Sequence, residues 1–254
     1  TILAMLVSGV MGCAFSLLLA YAAIKLKADQ IISGTALNIF APAFAVIFAW
    51  AIQGQGLTDI PLPRFVNLSF IPAGSDFPNW INILLSKKMY ITTPIAFVIL
   101  IAAFIILYKT KFGLRLRACG EHPQAADSVG IKVLKMRYIG VAISGLLAGI
   151  GGFAFVLASS NSTFTAEVAG YGFLALAVMI FGNWKPFKFL FASLFFSFFK
   201  TIGALSNDVQ VSRFFPTFGL TNTDNLYKML PYLLTLVVLA FTSQQSRAPK
   251  AEGV

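Results

Sequence analysis

The chain has 254 residues, of which 58% are hydrophobic and only 11% charged, with a formal net charge of +10. A soluble domain carries about 25% charged residues, so the composition excludes an ordinary soluble protein. Several apolar runs reach the roughly 20 residues that a bilayer-crossing helix needs, and none shows the ten-residue alternation of a membrane barrel; the fold class is therefore all-α, a polytopic transmembrane helix bundle.

In chain order, about seven apolar segments are expected: 2–24, 31–52, 91–108, 138–158, 170–182, 187–205 and 228–242. The long mixed stretch 53–90 is rich in Pro, Gly, Asn and Asp and is predicted as loop, with a short surface helix near "FPNWINILL". Segment 170–182 gives only about 20 Å of helix against a hydrocarbon core of about 30 Å. It is expected to be an interior piece, either starting earlier or re-entering. The tail 244–254, "QQSRAPKAEGV", is predicted to be disordered and cytoplasmic.

Lysine and arginine set the orientation. One set of alternate loops holds Lys25 and Lys27, then Lys109, Lys111, Arg115, Arg117, Lys132, Lys135 and Arg137, then Lys185 and Lys188, then Arg247 and Lys250. The other set holds only Arg64, Lys87, Lys88 and Arg213. Loop 109–137 is thus expected in the cytoplasm, with loops 53–90 and 206–227 outside, and the basic excess is a topology signal rather than a nucleic-acid surface. Residue 1 then falls outside, which is expected of a chain lacking upstream helices.

The chemistry of most enzymes is missing. There is no G-x-x-x-x-G-K-[ST] to cradle ATP phosphates, no H-E-x-x-H and no G-x-S-x-G. The single histidine, His122, sits in the polar loop without a positioned partner for general-base work. Cys13 and Cys119 differ in depth and offer neither a disulfide nor metal-ligand spacing. No carboxylate lies at the middle of an apolar run, which counts against a proton-coupled stand-alone carrier. Lys200 is the only charge well inside one, with its chain expected to snorkel to a helix end.

Neutral polar residues within the runs include Ser33, Thr35, Asn38, Gln53, Ser144, Ser193 and Ser197. Two readings stand: interhelical hydrogen bonding, or a neutral pathway for an uncharged hydrophilic solute. For the pathway, Ser33, Asn38 and Ser144 are the candidates, Asn38 foremost because an amide both donates and accepts. In "SGLLAGIGG", Gly145 and Gly149 form G-x-x-x-G, and Ala148 with Gly152 repeats the spacing, a pattern for close helix packing.

The longest polar island, "GEHPQAADSVGIKV", has a helix architecture of its own. Pro123 suits a helix start, where its missing N–H is no loss, and Gly130 is a natural stop. The Ala125–Ala126 pair between them presents a flat knob for a partner's cleft.

These residues carry a resemblance. Gln124-Ala125-Ala126-x-x-x-Gly130 resembles the E-A-A-x-x-x-G coupling loop of ABC-importer membrane subunits, and "TKFGLRLRACGEHPQAADSVGIKV" resembles its version in branched-chain amino acid and simple-sugar permeases. "ISGLLAGIGGFAFVLA" and "GYGFLALAVMIFGNWKPFKFL" are similar to further signatures of that family, and "KADQIISGTALNIFA" to its nucleoside-importer branch. Gln124 replaces the usual Glu, and the I-x-L-P end of the general motif is missing.

The resemblance implies a transport subunit rather than an enzyme, in a bacterial cell membrane, with domain 1–243 forming the solute pathway. It implies that Glu121, Pro123, Gln124, Ala125, Ala126 and Gly130 engage a separate ATPase subunit, which binds the ATP and Mg. It further implies a second, related permease subunit and an extracytoplasmic substrate-binding protein. The implied substrate is a nucleoside, with simple sugars and branched-chain amino acids as alternatives. Family members usually have more than seven helices, in keeping with missing upstream ones.

Overall fold

A computed structural model describes residues 2–54, 67–68, 89–90, 92–159 and 170–205, together with Leu233 and Leu236. The expected helix near "FPNWINILL", the last run 228–242 apart from Leu233 and Leu236, loop 206–227, most of 53–90 and the tail lie outside the described residues. Apart from a two-residue antiparallel pairing, β1 (Asn67–Leu68) with β2 (Met89–Tyr90), the described structure is helical.

Helix α1 (Ile2–Ala20) runs on through a π-type turn, Tyr21–Lys25, and α2 covers Gln30–Gln53. The Asp29 carboxylate caps α2 by accepting from the Ile31 and Ile32 amides at 2.7 and 3.3 Å, satisfying N–H groups that have no intrahelical partner. Helix α3 is Thr92–Lys109, α4 Lys111–Glu121, α5 Pro123–Ser128, α6 Val133–Ser159, α7 Tyr171–Phe181 and α8 Pro186–Leu205. Four stretches are long and apolar enough to cross a membrane: Ile2–Lys25, Gln30–Ile52, Thr92–Lys109 and Val133–Val156. They coincide with the first four expected runs. Helix α7 has 11 residues, about 16 Å, and cannot span alone. Helix α8 has 20 residues and carries Lys188 and Lys200.

Two boundaries differ from expectation for one physical reason. Helix α6 begins at Val133 rather than near 138, and residues 111–121, expected as loop, are helix α4. Thr110 caps α4, its hydroxyl accepting from Gly113 N at 3.2 Å. Phe112, Leu116 and Cys119 then fall on one face at helical spacing. That face closes on Ala126, Ile131, Val133 and Met136, so burial of a small apolar cluster holds both helices outside the spans. A Cβ on Gly113 would meet the Ile106 carbonyl and Leu107 Cα, so the sharp α3–α4 turn needs glycine there.

The chain divides into two compact units between Glu167 and Val168. In the first, α1 packs along α6. Ser8, Gly12 and Ser16, four residues apart on α1, face Gly145 and Gly149 on α6: a Cβ on Gly12 would lie 2.8 Å from Gly149 Cα, and one on Gly149 would lie 3.0 Å from Gly9 Cα. The Ser8 hydroxyl donates to the Gly149 carbonyl at 2.6 Å. Small residues allow this approach, and dispersion over the shared surface rewards it. Phe15 packs on Phe40 and Phe44 at centroid distances of 6.1 and 5.5 Å, fastening α1 to α2. In the second unit, α7 and α8 form a hairpin around Ala177, Ala192 (0% exposed) and Phe196 (2% exposed).

Candidate functional site

The polar island folds as a rigid elbow. Helix α5 starts at Pro123 and is only six residues long, so its stability comes from its ends and packing rather than from propensity. Its C-terminus is a Schellman closure. The Ile131 N–H donates to the Ala126 carbonyl at 3.1 Å, and the Gly130 N–H to the Asp127 carbonyl at 2.9 Å. Gly130 takes φ +82°, a left-handed conformation that costs an L-residue roughly 1–2 kcal/mol.

The elbow divides the Ala125–Ala126 pair. Ala126 is 4% exposed and lies in the cluster with Cys119 and Met136; it faces this chain, not outward. Ala125 is exposed, with Gln124, Asp127 and Glu121. The outward apolar residue is Val129, 74% exposed, on the turn between Ser128 and Gly130. Sequence reasoning missed Val129, although a valine in an otherwise polar turn is a visible signal. Burial pushes the Cys119 thiol up, against the lowering pull of the Arg137 guanidinium; a protonated, buried thiol is a packing group, not a nucleophile. His122 is exposed, and its carbonyl accepts from the Ala126 N–H at 3.0 Å.

Gly130→Pro is expected to open this elbow. Proline fixes φ near −65° and has no N–H, so the closing bonds at Gly130 and Ile131 go together. Amide exchange over residues 119–136 should speed at least tenfold, the equivalent of about 1.4 kcal/mol. Exchange in α1 and α6 should not change, and unchanged exchange in the elbow would refute the closure as its support.

The proposed pathway residues are not brought together. Ser33 is half-buried, Asn38 and Ser144 are exposed, and no hydrogen bond joins any two of them among the described residues. Asn38 has one further feature. Pro42 lies inside α2 and cannot donate to the carbonyl four residues back, so the Asn38 carbonyl lacks its usual i+4 donor. Of the packing glycines, Gly145 and Gly149 lie in the α1 seam, whereas a Cβ on Gly152 would meet nothing within 4 Å. Ser8, Gly12 and Ser16, the other half of the seam, were legible as an i, i+4, i+8 repeat of small residues.

The second unit holds a lysine within the apolar helix α8. On α8 the Lys200 Nζ lies 3.3 Å from the centroid of the ring of Tyr171, the first residue of α7. An ammonium within a membrane helix costs about 2.5–3.5 kcal/mol, and a desolvated cation–π contact returns about 2. At the other end of the hairpin, Asn183 and Trp184 take φ +48° and +58°, strained values for non-glycine residues. Gly182 gives close passage there, since a Cβ would lie 3.1 Å from Phe189 N.

Among the described residues no group of three His, Cys, Asp or Glu side chains could hold a metal ion. What the helices present is several membrane crossings, a tightly packed helix pair and a stiff polar elbow, the parts of a multi-pass transport subunit. The chain belongs to the family described as branched-chain amino acid transport system permease component, which matches residues 1–239. It is 36% identical over 256 residues to the nucleoside ABC transporter permease protein NupC of Lactococcus lactis, covering 99% of this chain and 76% of that one. It is 38% identical over 254 residues to the guanosine ABC transporter permease protein NupQ of Bacillus subtilis, with the same two coverages. A putative glucose ABC transporter permease, TsgC13 of Haloferax volcanii, is 26% identical over 242 residues, covering 91% of this chain and 71% of the relative. No solved structure matches the chain. The protein is therefore a multi-pass membrane permease component and a transport subunit, not an enzyme.

Proposed function

We propose that this chain lines the solute pathway of an ATP-driven ABC importer of nucleosides. Supporting the substrate are the nucleoside and guanosine permeases at 36% and 38% identity over nearly the whole chain. The observation that carries the coupling is the elbow, a stiff knob built on α4, α5 and the start of α6. Under this reading domain 1–243 crosses the membrane in seven segments, with 109–137 and the tail 244–254 in the cytoplasm and 53–90 and 206–227 outside, as the basic residues suggest.

Closure of a partner ATPase dimer, with its ATP and Mg, moves the elbow. Because Ala126 and Ile131 tie α5 to α4 and α6, displacement of α5 is transmitted to α6 and through the Gly145–Gly149 seam to α1. Glu121, Pro123, Gln124, Ala125, Ala126 and Gly130 build or present the knob, Ala126 from within. Ser33, Asn38 and Ser144 offer neutral polar groups to the solute. A second, related permease completes the pathway, and an extracytoplasmic binding protein delivers the nucleoside. Import of simple sugars or branched-chain amino acids is the second reading, supported by the glucose relative and the family description.

Co-purification tests the assembly. The tagged chain, extracted in mild detergent, is expected to bring down an ATPase subunit and a second permease in stoichiometric amounts. Recovery of the chain alone, moving solute without ATP, would refute the importer reading.

A further inference from the structure

The Tyr171–Lys200 contact stands at a defined depth. Trp184, Lys185 and Lys188 cluster at the α7–α8 turn, and tryptophan and lysine are residue types of the membrane–water interface. Lys200 stands about 18 Å along α8 from Lys188 at the α-helical rise. Tyr171 begins α7, which ends at the same turn, so under the seven-segment reading the two meet in the half of the layer farther from that turn, five residues short of the end of α8 at Leu205. Within a membrane an ionisable side chain faces the bundle interior or a water-filled cavity, not lipid. The pair is half-buried in this chain, which leaves it surface to offer there.

We propose that Tyr171 and Lys200 form a solute-contact pair on the pathway, taking a planar, uncharged, oxygen-bearing ring of the nucleobase type. The inference rests on the importer reading and assigns that reading a site. The chemistry selects the class. An ammonium has three donors and no acceptor, so it needs carbonyl or ring-nitrogen acceptors; a tyrosine face stacks a flat ring. Without solute the ammonium rests on the tyrosine face. An arriving base takes that face, and the displaced ammonium donates to the oxygen at the base's edge. One favourable contact is exchanged for two, so the charge stays partnered throughout.

The test uses the whole transporter, with both permeases, ATPase and binding protein, in proteoliposomes, and reads tritiated guanosine uptake and ATP hydrolysis together. In Lys200→Met and Tyr171→Leu, guanosine moved per ATP should fall at least tenfold while hydrolysis stays within twofold of wild type. Tyr171→Phe, which keeps the ring, and Lys200→Arg, which keeps a cationic donor, should stay within threefold. A contact that merely staples the hairpin would lower uptake and hydrolysis in proportion, with reduced complex yield, and that result overturns the proposal. So does wild-type uptake in Lys200→Met. A wild-type complex that moves neither guanosine, ribose nor leucine on ATP defeats the importer reading before any variant is compared. One that moves leucine alone defeats the nucleobase assignment.

Discussion

Replacing Gly149 with leucine is expected to part α1 from α6 and cause a large loss of stability. A Cβ at Gly149 would lie 2.9 Å from the Ser8 carbonyl carbon and 3.0 Å from Gly9 Cα. Both obstacles are main chain and cannot rotate away. The helices must separate, and the Ser8 hydroxyl loses its geometry on the Gly149 carbonyl. Overpacking costs up to about 3 kcal/mol where side chains can still adjust, and here they cannot. Thermal unfolding in detergent should show a drop of several degrees, or no folded protein. Gly152→Leu is the matched control: among the described residues, nothing beyond its own stretch of helix lies within 4 Å of its would-be Cβ, so its melting temperature should stay near wild type. Equal losses in both variants would contradict the seam.

The second large effect is expected at the elbow, where two neighbouring positions should fail in different ways. Val129→Asp places a charge on an outward residue that is 74% exposed. Its side chain is not part of the buried cluster of the elbow, so stability should hold. An apolar anchor of valine's size contributes about 1.5 kcal/mol to a buried contact, and its loss should cut ATP-coupled uptake about tenfold. Ala126→Arg instead drives a guanidinium into the Cys119–Met136 cluster. An unpaired buried charge is strongly unfavourable, so this variant should lose the elbow's fold and coupling together. Melting temperature and uptake measured side by side separate the two cases. A Val129→Asp variant with normal uptake would remove Val129 from the docking surface.

The spans were legible because bilayer length imposes long, uncharged runs; Ile2–Lys25 and Thr92–Lys109 could hardly be anything else. The elbow was legible only at its ends. Pro123 and Gly130 signal start and stop through backbone constraints that act locally. Which alanine points inward depends on where Phe112, Leu116 and Met136 close, and that is a tertiary fact. Helix α4 was hidden by its basic residues, although its apolar residues keep helical spacing. The first turn of α6 was hidden in the same way, since Lys135 and Arg137 interleave with Val133 and Met136. Gly145 and Gly149 announced a close approach, but the partner had to be found on α1, far away in sequence. Tyr171 and Lys200 gave no joint signal, because only the antiparallel hairpin brings them together.

One measurement bears on the whole account: ATP-dependent uptake of tritiated guanosine into proteoliposomes carrying this chain with its partner permease, ATPase and binding protein. Accumulation is expected to require ATP, to disappear with an ATPase inhibitor, and to drop about tenfold in Val129→Asp without loss of assembled complex. Accumulation without ATP, or ATP hydrolysis without any movement of guanosine, would contradict it.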